Sequence, residues 1–500
     1  MTHHVEHDRV DVVIVGSGPV GAVVAARIRA EAPDATLLMV EAAPPLGARL
    51  GEHLLASSDP TIRRRYVDRA RPGNQARYVD QGAETLEAGM VPTRVLGEDV
   101  DQLSGSASSW NVGGMGIHWS AACPRPIADE IPKLYTDDEW EALIVEAERL
   151  LAVRLDVFPD SEQAEFIGGA LRSLFPRNPA LPGVGPMPLA GGVGTDSAYR
   201  RTGPSDIFPP IAGEPDPSFE LHSGALCTSI AEIGGGVVAR IRSLADGNLS
   251  EVRARVVVVA GDVLRTPQLL WASDIRPAAL GRYLNEHAFL TGYTVLEHQG
   301  PRPQSEVEPF TGAWYVPTLG EAWPHQGQFM STFVESTGGH RLGLSWYVRT
   351  DPDENNRVEF SDDDLDELGM PRMTVRFARS SADQDRIREG LRLQRSVGEA
   401  IGEFTSTGPL APGASLHTSG SFRVGAEDDG TSTADRDGRV WGTKNVFVAG
   451  AGAIPTALAC NTTLTACAIA VRTAGAVVRK LSAAGTGDRE LRDEKGTPSP

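Results

Sequence analysis

The sequence predicts an α/β protein built around a parallel sheet, and three patterns carry this prediction. Four runs of Val, Ile and Leu do not alternate with polar residues, which is typical of parallel strands covered on both faces. They are Val10–Val15, Thr36–Val40, Val256–Val259 and Val446–Val448. The Ala-rich segment Pro19–Ala32 between the first two has a helical period and completes a βαβ unit. Because these strands come from the start, middle and end of the chain, we expect one domain assembled from separated segments and a second domain inserted between them.

Other segments predict elements outside this sheet. Residues 329–348 alternate in the manner of strands, and Gly338-Gly339 in their middle predicts a hairpin turn. The stretch Asp383–Ile401 has the pattern of an amphipathic helix. Residues 483–500 are rich in Gly, Pro and charge, which predicts a disordered tail.

Composition excludes several classes of function. The 500 residues carry a formal net charge of −19, whereas nucleic acid and anionic membranes both require a basic face. The sequence has no run of about 18 apolar residues, so no membrane span is predicted. The polar start MTHHVEHDR leaves no room for the apolar stretch of a signal peptide. The cysteines show neither CxxC spacing nor a disulfide rhythm, and no pattern predicts a metal site. We therefore expect a cytoplasmic protein with reduced thiols.

The glycine pattern after the first strand predicts a dinucleotide site. Gly16, Gly18 and Gly21 form GxGxxG, in which the first glycine permits a tight turn and the second lets the backbone approach a pyrophosphate. The third glycine lets the helix pack closely on the strand. Glu41 stands twenty residues later, at the end of the second strand, where a carboxylate can bind a ribose hydroxyl. This acid favours FAD or NAD over NADP, and the residues alone do not choose between those two.

Further segments resemble the glucose–methanol–choline (GMC) oxidoreductase family. Within it, the segments GGMGIHW and IPTALACNTTLTA are most similar to the pyranose oxidases and the bacterial glycoside 3-oxidases. The resemblance runs from about Val10 to Ala474, and the segments that carry it are Asn111–Pro124, Ala260–Leu270, Phe360–Phe377, Leu416–Gly425 and Asn445–Ala466. It implies FAD, a Rossmann-like FAD-binding domain and a substrate domain on an antiparallel sheet. The expected FAD-binding segments are 1–125, 215–285 and 415–482, and the substrate-binding segments are 126–214 and 286–414.

The resemblance assigns the catalytic pair to His417 and Asn461. Oxidation of an alcohol requires removal of the hydroxyl proton, and a histidine is the natural base near neutral pH. Asn461 cannot take up a proton there, but its amide can hold the substrate oxygen near the base. The competing interpretation makes His417 a core histidine and Asn461 the cap of the helix that begins at Thr462. For Asn461 both roles are compatible, since that helix start would point toward the flavin.

The Gly-rich segment Asn111–Pro124 is expected to line the flavin. In pyranose 2-oxidases the residue matching His118 is covalently bonded to the flavin within a Thr-His-Trp context, whereas here Ile117 precedes it. This difference favours non-covalent FAD, with a covalent link through His118 as the alternative. The other nine histidines carry no motif. The resemblance assigns the following further residues to the cofactor site: Gly113, Gly114, Trp119, Ser120 and Thr462.

The predicted function is oxidation of a secondary ring hydroxyl of a pyranose sugar or glycoside, with C3 favoured and C2 as the second choice. Electrons would pass from FAD to O2 or a quinone. The alternatives are a GMC-type FAD-containing lyase, an oxidase of a non-sugar alcohol and an NAD dehydrogenase. The resemblance also predicts a mobile substrate loop at residues 323–335.

Overall fold

The computed structural model describes residues 9–70, 83–175, 183–193, 199–298, 300–302 and 308–493. Within these residues the largest sheet has seven strands in the order β10-β11-β12-β1-β2-β9, with β22 also paired to β12. They are β1 (Arg9–Val15), β2 (Leu37–Glu41), β9 (Phe219–Ser223), β10 (Ala225–Ile233), β11 (Gly236–Ser243), β12 (Leu249–Val259) and β22 (Val446–Val448). β1 lies parallel to both β2 and β12, and β12 lies parallel to β22. The predicted assembly of a parallel sheet from distant segments is therefore confirmed.

A second sheet is antiparallel and has the order β19-β13-β16-β15-β14-β6. Its strands are β6 (Gly185–Pro186), β13 (Ala288–Leu296), β14 (Phe310–Val316), β15 (His325–Val334), β16 (Gly339–Val348) and β19 (Gly402–Pro409). The hairpin predicted around Gly338 joins β15 to β16. The prediction of a mobile loop at residues 323–335 is wrong. Most of this segment forms β15, which hydrogen bonds to a strand on either side. Its alternating pattern, rather than the resemblance, indicated the correct structure.

Short strands complete the molecule. They are β3 (Gly89–Pro92), β4 (Ala107–Trp110), β5 (Val153–Arg154), β7 (Leu189–Val193), β8 (Tyr199–Arg201), β17 (Arg357–Leu365), β18 (Pro371–Arg376), β20 (Val424–Gly425) and β21 (Ala434–Asp435). The helices are α1 (Pro19–Glu31), α2 (Pro60–Ala70), α3 (Asp137–Leu151), α4 (Glu162–Leu174), α5 (Pro204–Ile207), α6 (Arg265–Ala272), α7 (Ser381–Ile401) and α8 (Thr462–Asp493). Throughout the described part of the chain, no helix is long and apolar enough to cross a bilayer.

The position of helix α3 differs from the one that the expected domain bounds imply. It lies within residues 126–214, which were expected to bind substrate, yet it packs against α8 beside the parallel sheet. Its buried face of Trp140, Ile144 and Leu151 belongs to the same apolar core as β1 and β12. Because this face is complementary to the Ala-rich surface of α8, packing rather than chain order decides where the helix lies.

Helix α8 also extends beyond its expected end. The disordered tail was predicted from residue 483, whereas the helix continues to Asp493. Extending an existing helix requires no new nucleation, and the segment contains good helix formers such as Ala, Glu, Leu and Arg. Residues 494–500 of the predicted tail lie outside the described residues.

Candidate functional site

A cavity of about 330 Å³ lies at the carboxyl ends of β1, β2 and β12. The glycine turn after β1 forms part of its wall. A Cβ on Gly16, whose φ is +109°, would lie 2.5 Å from the carbonyl oxygen of Ala260, and a Cβ on Gly21 would lie 2.1 Å from that of Gly16. A Cβ on Gly18 would meet nothing within 4 Å. Gly16 and Gly21 are thus required by the fold, whereas Gly18 leaves space open for a ligand.

Glu41 borders this cavity and holds the glycine turn in place. Its Oε2 accepts hydrogen bonds from the Ser17 amide at 3.0 Å and the Ser17 hydroxyl at 2.7 Å, and its Oε1 accepts one from the Ala43 amide at 2.9 Å. Burial raises the pKa of Glu41. A carboxylate has about four acceptor positions, so one remains for a ribose hydroxyl. The cavity volume and this acceptor fit a dinucleotide such as FAD.

Ser17 connects the two glycine-rich loops, a role that sequence reasoning missed. Its hydroxyl accepts a hydrogen bond from the Gly113 amide at 2.9 Å. Gly113 and Gly114 have φ values of +91° and +51°, and a Cβ on Gly114 would lie 3.3 Å from the Gly18 Cα. The second loop therefore has no room for side chains at Gly113 and Gly114, where it approaches the first. The only sequence signal for Ser17 is its position inside GxGxxG.

His118 is fixed within the second of these loops. Its Nε2 lies 2.7 Å from Oδ1 of Asn111, and the Asn111 amide group donates to the carbonyl oxygens of Val112 and Gly114 at 3.2 and 3.1 Å. Because the Asn111 nitrogen has carbonyl partners, its oxygen faces the imidazole. The hydrogen-bond network thus assigns the proton of His118 to Nε2.

A smaller cavity of about 130 Å³ adjoins the first, and Met115, Leu416 and Thr463 line both. The two cavities divide the residues predicted from the sequence. The first is lined by Gly16, Gly18, Glu41, Gly114 and Thr462. The second is lined by His118, Trp119, Ser120, His417 and Asn461. Gly21 and Gly113 line neither cavity and shape the turns instead.

His417 and Asn461 meet in the smaller cavity although 44 residues separate them. Asn461 Nδ2 lies 3.3 Å from His417 Nε2, while Asn461 Oδ1 accepts a hydrogen bond from Gln326 Nε2 at 3.3 Å. This orientation makes Asn461 the donor and His417 Nε2 the acceptor. Burial lowers the pKa of His417 to about 4. The ring is therefore neutral near neutral pH, with an unprotonated nitrogen toward the cavity.

Protonation of that nitrogen at low pH predicts that the rate of the reaction depends on pH. Since the pKa of His417 is lowered to about 4, the unprotonated nitrogen is present above this pH and is lost as pH falls through it. With His417 as the base that the sequence motifs predict, we expect the rate of flavin reduction to be constant from neutral pH down to about 5 and to fall below that. Anaerobic stopped-flow measurement across pH tests this, with FAD retention checked at each pH. A fall centred near pH 6.5 would show that burial does not lower the pKa.

Three more side chains around the pair carried no sequence signal. His287 Nε2 lies 2.9 Å from His417 Nδ1, and Gln326 and Gln328 approach the cavity from β15. Their positions depend on the antiparallel sheet, and no motif surrounds any of them. An alternating strand with glutamines on one face is the only pattern that could have indicated the last two.

A dinucleotide cavity that adjoins a neutral histidine is the arrangement found in flavin-dependent alcohol oxidoreductases. In such enzymes the base and the hydride acceptor must both reach the same carbinol group. Comparison with known proteins identifies the particular family. The family model described as GMC oxidoreductase matches residues 352–470. The C-glycoside 3-oxidase of Microbacterium trichothecenolyticum is 36% identical, covering 97% of this chain and 99% of its own.

The pyranose 2-oxidase of Tricholoma matsutake is 30% identical and covers 76% of this chain and 74% of its own. Among solved structures, pyridoxine 4-oxidase from Mesorbium loti has a TM-score of 0.63 at 19% identity, covering 93% of this chain and 98% of its own. This last likeness is one of fold. The chain belongs to the GMC oxidoreductase family, a family of FAD-dependent enzymes, as the sequence motifs predicted.

Proposed function

We propose that this protein oxidises a secondary ring hydroxyl of a pyranose sugar or glycoside to a keto-sugar, with FAD as cofactor and O2 or a quinone as final acceptor. The observation that carries the proposal is the neutral His417, whose Nε2 faces the cavity beside the dinucleotide site. We favour C3 over C2, because the 3-oxidase relative matches nearly the whole chain at the higher identity.

The chain's own residues supply the proton transfer. His417 Nε2 takes the proton of the substrate hydroxyl, and Asn461 Nδ2 donates a hydrogen bond to the same oxygen. Gln326 holds the Asn461 amide in the orientation that makes this donation. When bound, FAD accepts the hydride that leaves the carbinol carbon. Desolvation of the His417 ring lowers its pKa, which keeps the base unprotonated near neutral pH.

The smaller cavity has the surface that a sugar needs. Aromatic rings, which pack on the C–H faces of a pyranose, alternate with polar groups that can bind its hydroxyls. The rings belong to Tyr66, Trp119, Phe289, Phe310 and Tyr347, and the polar groups to Ser120, Gln328, Ser345 and Ser415. Gln328 is 4% exposed, and its Oε1 has no hydrogen-bond partner among the described residues. We propose that a substrate hydroxyl donates to this oxygen.

Removing that acceptor is expected to weaken substrate binding. In Gln328→Met the side chain keeps its length but loses the amide, so KM for the sugar should rise about 5–20-fold with a smaller change in kcat, the worth of one hydrogen bond. Steady-state kinetics on the FAD-loaded enzyme measures both constants. Gln394→Met is the matched control, since Gln394 is also fully buried with an unpartnered Oε1 but lies in α7 away from the cavity. Equal KM values for all three proteins would exclude Gln328 from substrate binding.

We also propose that FAD is held without a covalent bond. Two observations support this: Ile117 stands where the pyranose 2-oxidases have a threonine before the linked histidine, and His118 Nε2 is already engaged by Asn111 Oδ1 at 2.7 Å. Acid precipitation of the purified protein is expected to release the yellow flavin into the supernatant. Flavin that stays in the washed pellet would contradict this, and a His118→Ala variant that then releases it would identify the link.

The experiment that tests the function is anaerobic titration with a panel of methyl glycosides, free sugars and non-sugar alcohols. Bleaching of the flavin by glycosides, followed by NMR of the product, is expected to show a ketone at C3. Bleaching only by non-sugar alcohols would favour an oxidase of those, and turnover without bleaching would favour the lyase. The proposed location is the cytoplasm, which the four buried free thiols support.

A further inference from the structure

We propose that His287 is a positioning residue that fixes the tautomer and the direction of His417. The inference rests on the proposed function, in which His417 Nε2 is the base. The two residues are 130 positions apart, and His287 lies immediately before β13 of the antiparallel sheet.

The segment that carries His287 also holds the backbone around His417. Asn285 and Ser419 exchange two backbone hydrogen bonds, at 2.9 and 2.8 Å. The buried Glu286 carboxylate accepts hydrogen bonds from the Gly413 amide at 2.7 Å and the Ser415 amide at 3.0 Å. These contacts stabilise the left-handed conformation of Leu416, whose φ of +59° is unfavourable for a residue with a side chain. The segment before β13 therefore fixes where His417 lies.

The His287 ring is held in one orientation. It is 3% exposed, and its centroid lies 4.5 Å from that of Tyr347 and 5.0 Å from that of His417. Its Nε2 is 2.9 Å from His417 Nδ1.

Counting protons then assigns both tautomers. The Asn461 amide group donates to His417 Nε2, because its oxygen is already the acceptor for Gln326, so His417 Nε2 carries no proton. A neutral imidazole has one N–H, and that of His417 therefore lies on Nδ1 and is donated to His287 Nε2. The N–H of the neutral His287 ring then lies on its Nδ1.

His287 acts as a neutral acceptor and does not take the proton. Burial lowers its pKa well below the ordinary value, and the nearby His417 and Arg379 lower it further. The opposite charge of Glu286 is engaged by Arg379 at 3.3 Å and by the backbone of the 413–415 segment. When His417 becomes cationic, its Nδ1–H bond to His287 becomes charge-assisted and stronger. The pair therefore orients the base and stabilises its protonated form, which are the roles of the carboxylate in a Ser-His-Asp triad.

The test compares His287→Leu with His287→Gln in the FAD-loaded enzyme. Leu removes the acceptor, so anaerobic flavin reduction should slow by about 10–100-fold in kcat, with KM within about twofold. Gln keeps an amide oxygen that can accept, and it should restore most of the rate. FAD content and Tm are measured for both. A Leu variant at the wild-type rate, or Leu and Gln variants that are equally slow with FAD retained, would overturn the inference.

Two further measurements separate this inference from the proposed function. Adding His287→Leu to His417→Ala should cause no additional loss, and a His417→Ala enzyme with the wild-type rate would refute the base assignment itself. Nitrogen NMR of wild-type holoenzyme labelled at histidine does not depend on the folding of any His287 variant. It is expected to show His417 protonated at Nδ1 only, with the signals assigned by their loss in His417→Ala. Protonation at Nε2 instead would overturn the role of His287.

Discussion

Replacing His417 with alanine is expected to slow reduction of the bound flavin by a good glycoside about 10²–10⁴-fold, which is the usual worth of a positioned general base. The loss should appear in kcat and kcat/KM together, because proton removal belongs to the transition state. The protein should keep its fold and its FAD, since His417 lines the smaller cavity and the dinucleotide turn lies elsewhere. Anaerobic stopped-flow spectroscopy isolates this step from reoxidation.

Two variants serve as controls for His417→Ala. Asn461→Ala should be slowed less, because it removes a hydrogen bond and orientation but leaves the base. His222→Ala changes a histidine on β9 that lines neither cavity, and it should reduce at the wild-type rate. If His417→Ala reduces its flavin as fast as the wild type, the base must be another histidine, with His118 the first to test.

Replacing Gly18 with valine is expected to yield folded but colourless protein. Gly18 has φ −65° and ψ −178°, an extended conformation that any residue adopts, and its Cβ would meet no atom within 4 Å. Valine should therefore leave the apoprotein intact while its methyl groups occupy the path of the pyrophosphate. The ratio of flavin to protein absorbance measures the loss of FAD, and circular dichroism measures the fold.

Other glycine variants show whether the effect is specific. A Cβ on Gly169 in α4 also meets nothing within 4 Å, so Gly169→Val should remain fully yellow. Gly21→Ala should instead lower the yield of folded protein, since its Cβ would lie 2.1 Å from the Gly16 carbonyl oxygen. A fully yellow Gly18→Val protein would show that the pyrophosphate does not approach this turn.

Elements whose pattern is local can be predicted from the chain without its fold. Unalternated apolar runs identified β1, β2, β12 and β22, because strands covered on both faces have no polar side. GxGxxG followed by Glu41 identified the dinucleotide cavity, since a tight turn and a close ligand approach restrict the residue types that fit. The family motifs, rather than periodicity, singled out His417 and Asn461, and the structure brings these two into one cavity.

The side chains that surround that pair are brought there by long-range packing. His287 meets His417 across 130 residues, and Gln328 faces the cavity because β15 lies inside the antiparallel sheet. Neither contact has a local signal, since each depends on how two distant strands and loops pack. Helix α3 packs beside α8 for the same reason. Periodicity specifies which face of an element is buried, whereas the partner of that face is chosen by complementarity between segments far apart in the chain.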